Sequence, residues 1–488
     1  MHRLVRQAQR WLYLIHRWIG IATCLLIAIW FFSGVVMMYV AFPGLTDKER
    51  RTYLPAIDWQ EVRLTPEQAL AVAGQSSWPH SIRLEMLGDD PVYRIMPWDH
   101  SRLVVSAKDG RLIVGWTEEN AVAAVSRAAG RPVTALEPAY RDQWTVFYRF
   151  DSLRPFHRIA LNDDKNTILY LSSKTGEIAL DTSRSERFWN WLGAIPHWIY
   201  LTPIRAANEL WRQLLLWTSG ISGIVAVSGI WIGIQRLRIR RKYARGTMSP
   251  YRGWMLWHHW AGVIGSVFLM LWLFSGWISV NPNSWFQRPS TDQGSLIAYG
   301  GNPGTAFPAS PNPAGKIVEA RFLWVGGNPV TIFYRADGST LPSRFVNQNV
   351  IVDAARNLLP QAEITKARLI EAADSYWYSH HHERPLPVLR IEFDDPDGTW
   401  FHIAPGTGDI LQRTNSNQRL YRWLFNAMHS FDIRVLIANR PAWDVLLWAM
   451  SAVGFVMSVS GVVIGWRRLR RKASRSGVRT PQCQPHNF

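Results

Sequence analysis

The chain has 488 residues, of which 48% are hydrophobic and 18% charged, with 27 tryptophans, two cysteines and a formal net charge of +18. That length exceeds one ordinary domain, and the cysteines (Cys24 in an apolar run, Cys483 in a basic tail) leave the polar regions without a disulfide framework. The positive charge is concentrated beside apolar runs, with three, seven and seven Lys/Arg residues in 1–11, 236–252 and 467–488 and no Asp or Glu among them, which argues against a basic nucleic-acid-binding face.

Taken in order, residues 1–11 are a basic helical start and 12–40 a first membrane-spanning helix, longer than the roughly 20 residues a bilayer requires. The run is too long for a signal-peptide core and lacks a clear small-residue cleavage site, so an uncleaved anchor is expected. Pro43-Gly44 stops it. Residues 41–211 are polar to mixed. Thr65 and Pro66 predict a capped helix over 64–73, followed by strands at 92–96, 103–105 and 111–114, the last two joined by a turn at Lys108-Asp109-Gly110. A second unit opens with a helix over 121–129. Its strands are predicted at 144–149, 157–161 and 167–172, closed by Thr175-Gly176-Glu177. Residues 212–235 are a second span, 236–252 a basic loop and 253–280 a third span. Residues 281–441 repeat the plan: a long loop over 281–313, strands at 317–324 and 331–335, a helix over 350–358, strands at 388–393 and 399–403, and a Thr407-Gly408-Asp409 turn. Residues 442–466 are the fourth span and 467–488 a basic tail. Lys and Arg crowd the cytoplasmic ends of spanning helices. Both termini and the 236–252 loop are therefore expected in the cytoplasm, and 41–211 and 281–441 in the periplasm of a bacterium with this chain in its inner membrane.

Two sets of matches run through the chain. His16-Arg17-Trp18-Ile19-Gly20, leading to Phe32-Ser33-Gly34, returns 242 residues later as His258-His259-Trp260-Ala261-Gly262, leading to Phe274-Ser275-Gly276. At an offset of 232, Thr175-Gly176 matches Thr407-Gly408, His197 matches His429 and Ser228-Gly229 matches Ser460-Gly461. The reading is a tandem pair of halves, each span–exported region–span. Each half crosses twice, so they share an orientation, as parallel repeats do.

The paired His-x-Trp…Ser-Gly segments, the Thr-Gly-Glu/Asp turns and the basic ends resemble the PepSY-associated transmembrane family over nearly the whole chain. The resemblance implies a membrane protein with a four-helix transmembrane bundle built from two tandem repeats, carrying α+β PepSY-like periplasmic domains. It further implies a tie to ferrisiderophore reductases that hold b-type haem, some relatives of which carry a fused flavodoxin-like reductase module. With no such module after 466, the expected electron donor is a separate cytoplasmic protein or a quinol.

Four histidines are the candidate site residues: His16 and His258 toward the cytoplasm, His197 and His429 toward the periplasm. Their functional reading is axial ligation of haem iron, built on facing helices of a bundle. From His258 to Ser279 a helix runs roughly 30 Å at about 1.5 Å per residue, too far for one porphyrin. One or two haems are therefore expected, two if both pairs bind, one near each face. No Cys-x-x-Cys-His occurs, so any haem is non-covalent haem b. The alternative is that these residues anchor helix ends at the headgroups, with His197 and His429 on amphipathic helices lying on the membrane face. His259 is a further candidate ligand that lacks a counterpart, because Arg17 stands at the matching position. The four Ser-Gly pairs suit close helix packing or a porphyrin lying against the glycines. His380-His381-His382 suits a solvated loop or a metal contact, and Arg154-Pro155 and Arg384-Pro385 suit ion pairs or an anionic ligand. Nucleotide fingerprints, phosphate loops, zinc-protease patterns and hydrolase triads are absent from the sequence. The expected function is inner-membrane electron transfer, reducing a periplasmic ferric chelate such as a ferrisiderophore. The competing class is a non-catalytic PepSY binding or assembly protein that meets a periplasmic peptidase or another partner.

Overall fold

Four apolar runs fold as helices α1 (His2–Met37), α2 (Asn208–Arg236), α3 (Trp254–Ser279) and α4 (Arg440–Ser476), each long and apolar enough to cross a membrane. The computed structural model describes residues 2–301, 306–307, 313, 315–380 and 384–476. These helices belong to one compact unit, made of the chain up to 40, 190–285 and 421 onward; the second unit is 41–189 with 286–420. In the first unit α1 packs against α2 and α4, and α3 packs against the same two, so α1 and α3 face each other across the diagonal of the bundle. The centre is apolar, with Ile27, Phe31, Ala226, Leu269, Leu273 and Met457 in one cluster. Leu25, Ile224, Val267 and Val445 point outward and stay exposed, which suits a hydrocarbon surround.

The second unit is built on antiparallel sheets. Its first part supplies β1 (Ser81–Leu87), β2 (Asp90–Met96), β3 (Leu103–Ser106), β4 (Thr134–Ala139), β5 (Phe156–Ala160), β6 (Ile168–Ser172) and β7 (Ile178–Thr182). Its second part supplies β8 (Glu319–Val325), β9 (Asn328–Tyr334), β10 (Thr340–Pro342), β11 (Ile364–Ile370), β12 (Val388–Phe393), β13 (Trp400–Ile403) and β14 (Ile410–Thr414). Strands β4–β7 and β11–β14 form two four-stranded sheets, and a six-stranded sheet runs β10-β9-β8-β1-β2-β3. The β1–β8 pairing therefore joins two stretches of chain that the sequence presents as separate regions.

Three local expectations need correction. Residues 144–149 are not a strand: Asp142 accepts from the backbone N–H of Trp144 and Thr145 at 3.0 and 3.1 Å, removing donors a ladder requires, and a 3-10 helix follows at Tyr148–Leu153. Residues 111–114 give only a single bridge, Val105 to Leu112. The expected 281–313 loop holds a helix, Gln293–Gly300, started by Asp292, whose side chain accepts from the Ser295 N–H. Strands β1, β4, β7, β10, β11 and β14 also lie outside the predicted set.

One face of the six-stranded sheet is apolar, with Ile82, Leu84, Tyr93, Ala320 and Phe322 in a shared core. Its other face is charged. The β1–β8 register sets Glu85 opposite Glu319 and Arg83 opposite Arg321, and like charges in register repel unless they are neutralised. A short helix, Asp47–Thr52, started by a Thr46 capping box, supplies the neutralising groups. Arg50 donates to both carboxylates, at 2.7 Å to Glu85, and Arg51 donates twice to Glu319, at 2.9 and 3.1 Å. Arg83 reaches Glu177 and Arg321 reaches Asp409, the acids of the two Thr-Gly turns. Burial alone would raise the Glu85 carboxyl, but Arg94, Arg50 and Arg83 hold it well below the usual carboxylate range.

Glu85→Gln would leave Arg50 and Arg94 without their shared counter-charge, and the expected loss is about 3–5 kcal/mol, read as a lower denaturation midpoint of the purified full chain. The folded-state pKa is depressed, so this stability is present at neutral pH and lost as pH falls below the ordinary carboxylate value. Wild type and Glu85→Gln should therefore converge in acid. A constant gap between them from neutral pH into strong acid would contradict the charge argument.

Candidate functional site

A polar atom left unpaired among apolar helices costs free energy, so a histidine in the bundle must satisfy its ring nitrogens locally. His16, on α1, sets Nδ1 3.1 Å from the Val225 carbonyl and 3.3 Å from Ser228 Oγ on α2. His258, on α3, makes the same pair of contacts with α4, at 3.0 Å to the Met457 carbonyl and 3.2 Å to Ser460 Oγ. A carbonyl oxygen only accepts, so Nδ1 carries the proton in both rings and Nε2 keeps its lone pair. In the His16 cradle the glycine after the serine makes room for the imidazole, whereas at the matching glycine beside His258 the contact is ordinary. A Cβ on Gly229 would stand 2.7 Å from His16 Cε1, and one on Gly461 would stand 3.5 Å from His258 Cε1.

His197 and His429 repeat the arrangement on the other ends of α1 and α3. His197 Nδ1 lies 3.0 Å from Ser33 Oγ, and His429 Nδ1 lies 2.9 Å from Ser275 Oγ. Each of these hydroxyls donates its own proton to a carbonyl one turn back, Ile29 or Leu271, at 2.6 Å, so it accepts from the imidazole N–H. Neither histidine lies on a long helix. His197 sits on the short Ala194–Trp198 helix, which Gly193 sets off from the helix before it and which ends at Ile199. His429 follows a π-helical stretch, Arg422–Ala427, and stacks on Phe425 with ring centres 5.1 Å apart. Indole N–H groups tie both segments to the spans: Trp211 donates to the Trp198 carbonyl at 2.7 Å and Trp443 to the Ser430 carbonyl at 2.8 Å. Burial pushes the His197 imidazole down to about 3, with His429 adding repulsion, and pushes His429 down to about 4. Both are therefore neutral at ordinary pH, as a metal ligand must be.

The four histidines come together as two facing pairs. The ring centres of His16 and His258 are 6.2 Å apart with planes at 47°, and those of His197 and His429 are 6.2 Å apart with planes at 78°. All four histidines are half-buried. Along α3 the two pairs are separated by about 25 Å, from His258 to Ser275 at about 1.5 Å per residue. Between them Phe31 meets Trp272 edge-on at 5.5 Å, and the Trp272 indole donates to the His429 carbonyl at 2.8 Å.

His259, the other candidate, points elsewhere: its Nε2 bonds the Gly233 carbonyl at 3.0 Å. Arg154 is held in place by an ion pair with Asp151 at 3.2 Å and a bond to the Phe147 carbonyl. In the His380-His381-His382 run, His381 and His382 lie outside the described residues. The serine and carbonyl partners on the facing helices escape a reading of the histidines alone. The signal for them is the recurrence of Ser-Gly at both sequence offsets, which marks the cradles rather than the histidines.

A family profile described as the PepSY-associated TM region matches residues 13–354, well over half of the chain. The match covers His16, His197 and His258; His429 lies beyond it and enters the site on geometry. No curated protein matches the chain.

The glycine cradles predict opposite outcomes for one substitution at two places. Gly229→Ala drives a methyl into His16 and should lower the thermal midpoint, since overpacking costs about 1–3 kcal/mol. At Gly276 the same methyl would find His429 Cε1 at 3.8 Å, ordinary contact. Gly276→Ala should be neutral or gain up to about 1 kcal/mol of helix propensity. Equal effects at both positions would show that the imidazoles do not rest on these glycines.

Proposed function

The chain belongs to the PepSY-associated transmembrane family, and from that premise we propose that it carries electrons across a bacterial inner membrane to a periplasmic ferric chelate such as a ferrisiderophore. In this reading His16 and His258 hold one haem b on the cytoplasmic side, and His197 and His429 hold a second on the periplasmic side. The two halves of the chain act as parallel repeats, each giving one histidine to each pair. The observation that carries the proposal is spacing. Two imidazoles bonded to one metal through facing nitrogens, with bonds of about 2.0 Å, hold their ring centres roughly 6 Å apart, and both pairs lie at 6.2 Å. Among the described residues no group of three or more His, Cys, Asp or Glu is spaced to hold an ion. Two opposed imidazoles with no third such ligand beside them among the described residues would suit haem iron.

Haem b between two imidazoles is a one-electron carrier when bound, with no position left for oxygen. The protein's own residues orient and insulate it. Hydrogen bonds from Nδ1–H fix each ring's tautomer and raise the basicity of Nε2. Phe31, Leu269, Leu273 and Met457 keep water out of the space between the pairs. The acceptor chemistry is consistent with iron release, since ferric iron prefers hard oxygen ligands and its ferrous form holds them less tightly. The electron donor is a separate cytoplasmic protein or a quinol. The orientation follows from the Lys and Arg residues at 1–11, 236–252 and 467–488, with residues 41–211 and 281–441 periplasmic.

Two predictions test this reading. Reporter fusions after Lys242 should read out as cytoplasmic and fusions near Gly110 and Gly338 as periplasmic; the reverse would overturn the electron route. Purified protein should contain two haems per chain by pyridine haemochrome assay. His16→Ala or His258→Ala should remove one of them and leave the other, and His197→Ala or His429→Ala the reverse. A single haem insensitive to His197 and His429 would reduce that pair to anchors. A colourless protein, made with ample haem, would sink electron transfer and leave a non-catalytic binding role for the α/β unit.

A further inference from the structure

The α/β unit holds a cavity of about 330 Å³, lined wholly by residues of its first part. That is large enough for a small ligand. The β1–β2 hairpin, the strands β6 and β7 and the Glu118–Ala129 helix form its walls; Leu87, Val125, Leu169 and Leu171 make them largely apolar, and the charged Arg50, Glu85 and Arg94 beside them are paired with one another.

In the second part of the same unit the corresponding walls are covered. There the Gln293–Gly300 helix packs on β8, on the Gln348–Ala355 helix and on its 3-10 extension. Tyr299, from that helix, is 4% exposed and donates its hydroxyl to the Gly408 carbonyl at 2.6 Å. Gly408 and Gly176 hold the same place in their Thr-Gly turns. A Cβ on Gly408 would meet Val325 and the Tyr299 hydroxyl, and one on Gly176 would meet Leu87 and the Trp116 ring. Trp116 thus stands where Tyr299 stands, but its polar atom is unsatisfied: Nε1 is buried with no hydrogen-bond partner, and the indole lines the cavity. The charged groups at the mouth are also unequal. Arg127 is paired with Asp89, and Asp163 accepts from the Thr167 amide and hydroxyl at 2.7 and 2.8 Å. Arg131, which also lines the cavity, makes no ion pair among the described residues. Burial raises the Asp163 carboxyl, the Thr167 bonds lower it, and Arg131 acts on it only through space, helping to lower it. Largely apolar walls with an unpaired indole donor and a guanidinium that makes no direct ion pair among the described residues therefore call for an apolar body that carries an anionic acceptor.

We propose that this cavity is a binding site for a small amphiphilic carboxylate of about ten carbons, its chain against Leu87, Val125, Leu169 and Leu171 and its head group toward Arg131. The occupant supplies to the first part of the unit the apolar cover that the Gln293–Gly300 helix supplies to the second. The site lies in the α/β unit and does not depend on haem, so it stands or falls apart from the electron-transfer reading.

The test is a calorimetric titration of sodium decanoate, below its micelle concentration, into the full chain in lipid nanodiscs, with empty nanodiscs subtracting partition into lipid. Saturable 1:1 binding is expected, at least tenfold weaker in Ala124→Trp, which fills the cavity, and in Arg131→Glu, which reverses the mouth charge, and retained in Arg131→Lys. Decanol should bind at least tenfold more weakly than decanoate. Arg131→Glu lies at an exposed position, so it decides the matter if Ala124→Trp fails to fold. No saturable binding, binding unchanged by either variant, or equal binding of decanol would overturn the proposal. Binding of a synthetic peptide spanning residues 293–301 in place of decanoate would also overturn it, assigning the cavity to a protein segment instead.

Discussion

The bond from imidazole Nδ1–H to the neighbouring helix is the constraint on which the bundle depends. A neutral histidine in an apolar interior has one donor and one acceptor to place. Here the donor is taken by the next helix at all four positions: by the Val225 and Met457 carbonyls in one layer and by Ser33 and Ser275 in the other. That bond fixes the ring against rotation and leaves Nε2 as the free edge. Because α1 and α3 lie diagonally in the bundle, the free edges of His16 and His258 meet near its centre rather than at its lipid surface. The Ser-Gly pairs follow from the same requirement. Serine offers an acceptor without bulk, and at Gly229 the missing Cβ lets the His16 ring approach the facing backbone. Small residues between membrane helices ordinarily let two backbones approach; in this protein they also admit a side chain.

A comparable logic governs the α/β unit. Pairing β1 with β8 makes a single six-stranded sheet with one apolar face in a shared core, but it also sets two glutamates and two arginines opposite their like. The Asp47–Thr52 helix and the two Thr-Gly turns answer that repulsion with Arg50, Arg51, Glu177 and Asp409. Removing one partner of such a buried network is costlier than any single bond in it, because the remaining charges stay buried. The halves are not equivalent in filling: Tyr299 closes the second part from within the chain, whereas the first part retains a cavity beside Trp116.

Much of this could be read from the sequence, and what could not has physical causes. Long apolar runs identify the spans because a bilayer demands length and hydrophobicity together. The four histidines stand out through their recurrence. The partners of those histidines do not, because two are backbone carbonyls and four are serines whose role depends on which helix lies opposite. The π-helical Arg422–Ala427 stretch that presents His429 differs from the Gly193 break that presents His197, although both segments match at one offset. Edge strands such as β4 and β14 carry too little hydrophobic alternation to stand out, with Glu137 and Arg413 among their residues. The 144–149 segment has strand-like composition, yet the Asp142 side chain takes its amides first. The β1–β8 pairing joins strands more than 230 residues apart, a distance over which local patterns carry no information.

In the proposed function each histidine pair would hold one haem iron. Electron paramagnetic resonance of the oxidised, purified protein addresses it directly, because a ferric haem with two imidazoles is low-spin and its anisotropy grows as the ring planes turn toward perpendicular. The planes stand at 47° in one pair and 78° in the other. The account predicts two low-spin signals and no high-spin one, with the more anisotropic signal lost in His197→Ala and the less anisotropic one lost in His16→Ala. A dominant high-spin signal in the wild-type protein, or a single low-spin species that survives substitution of either pair, would contradict it.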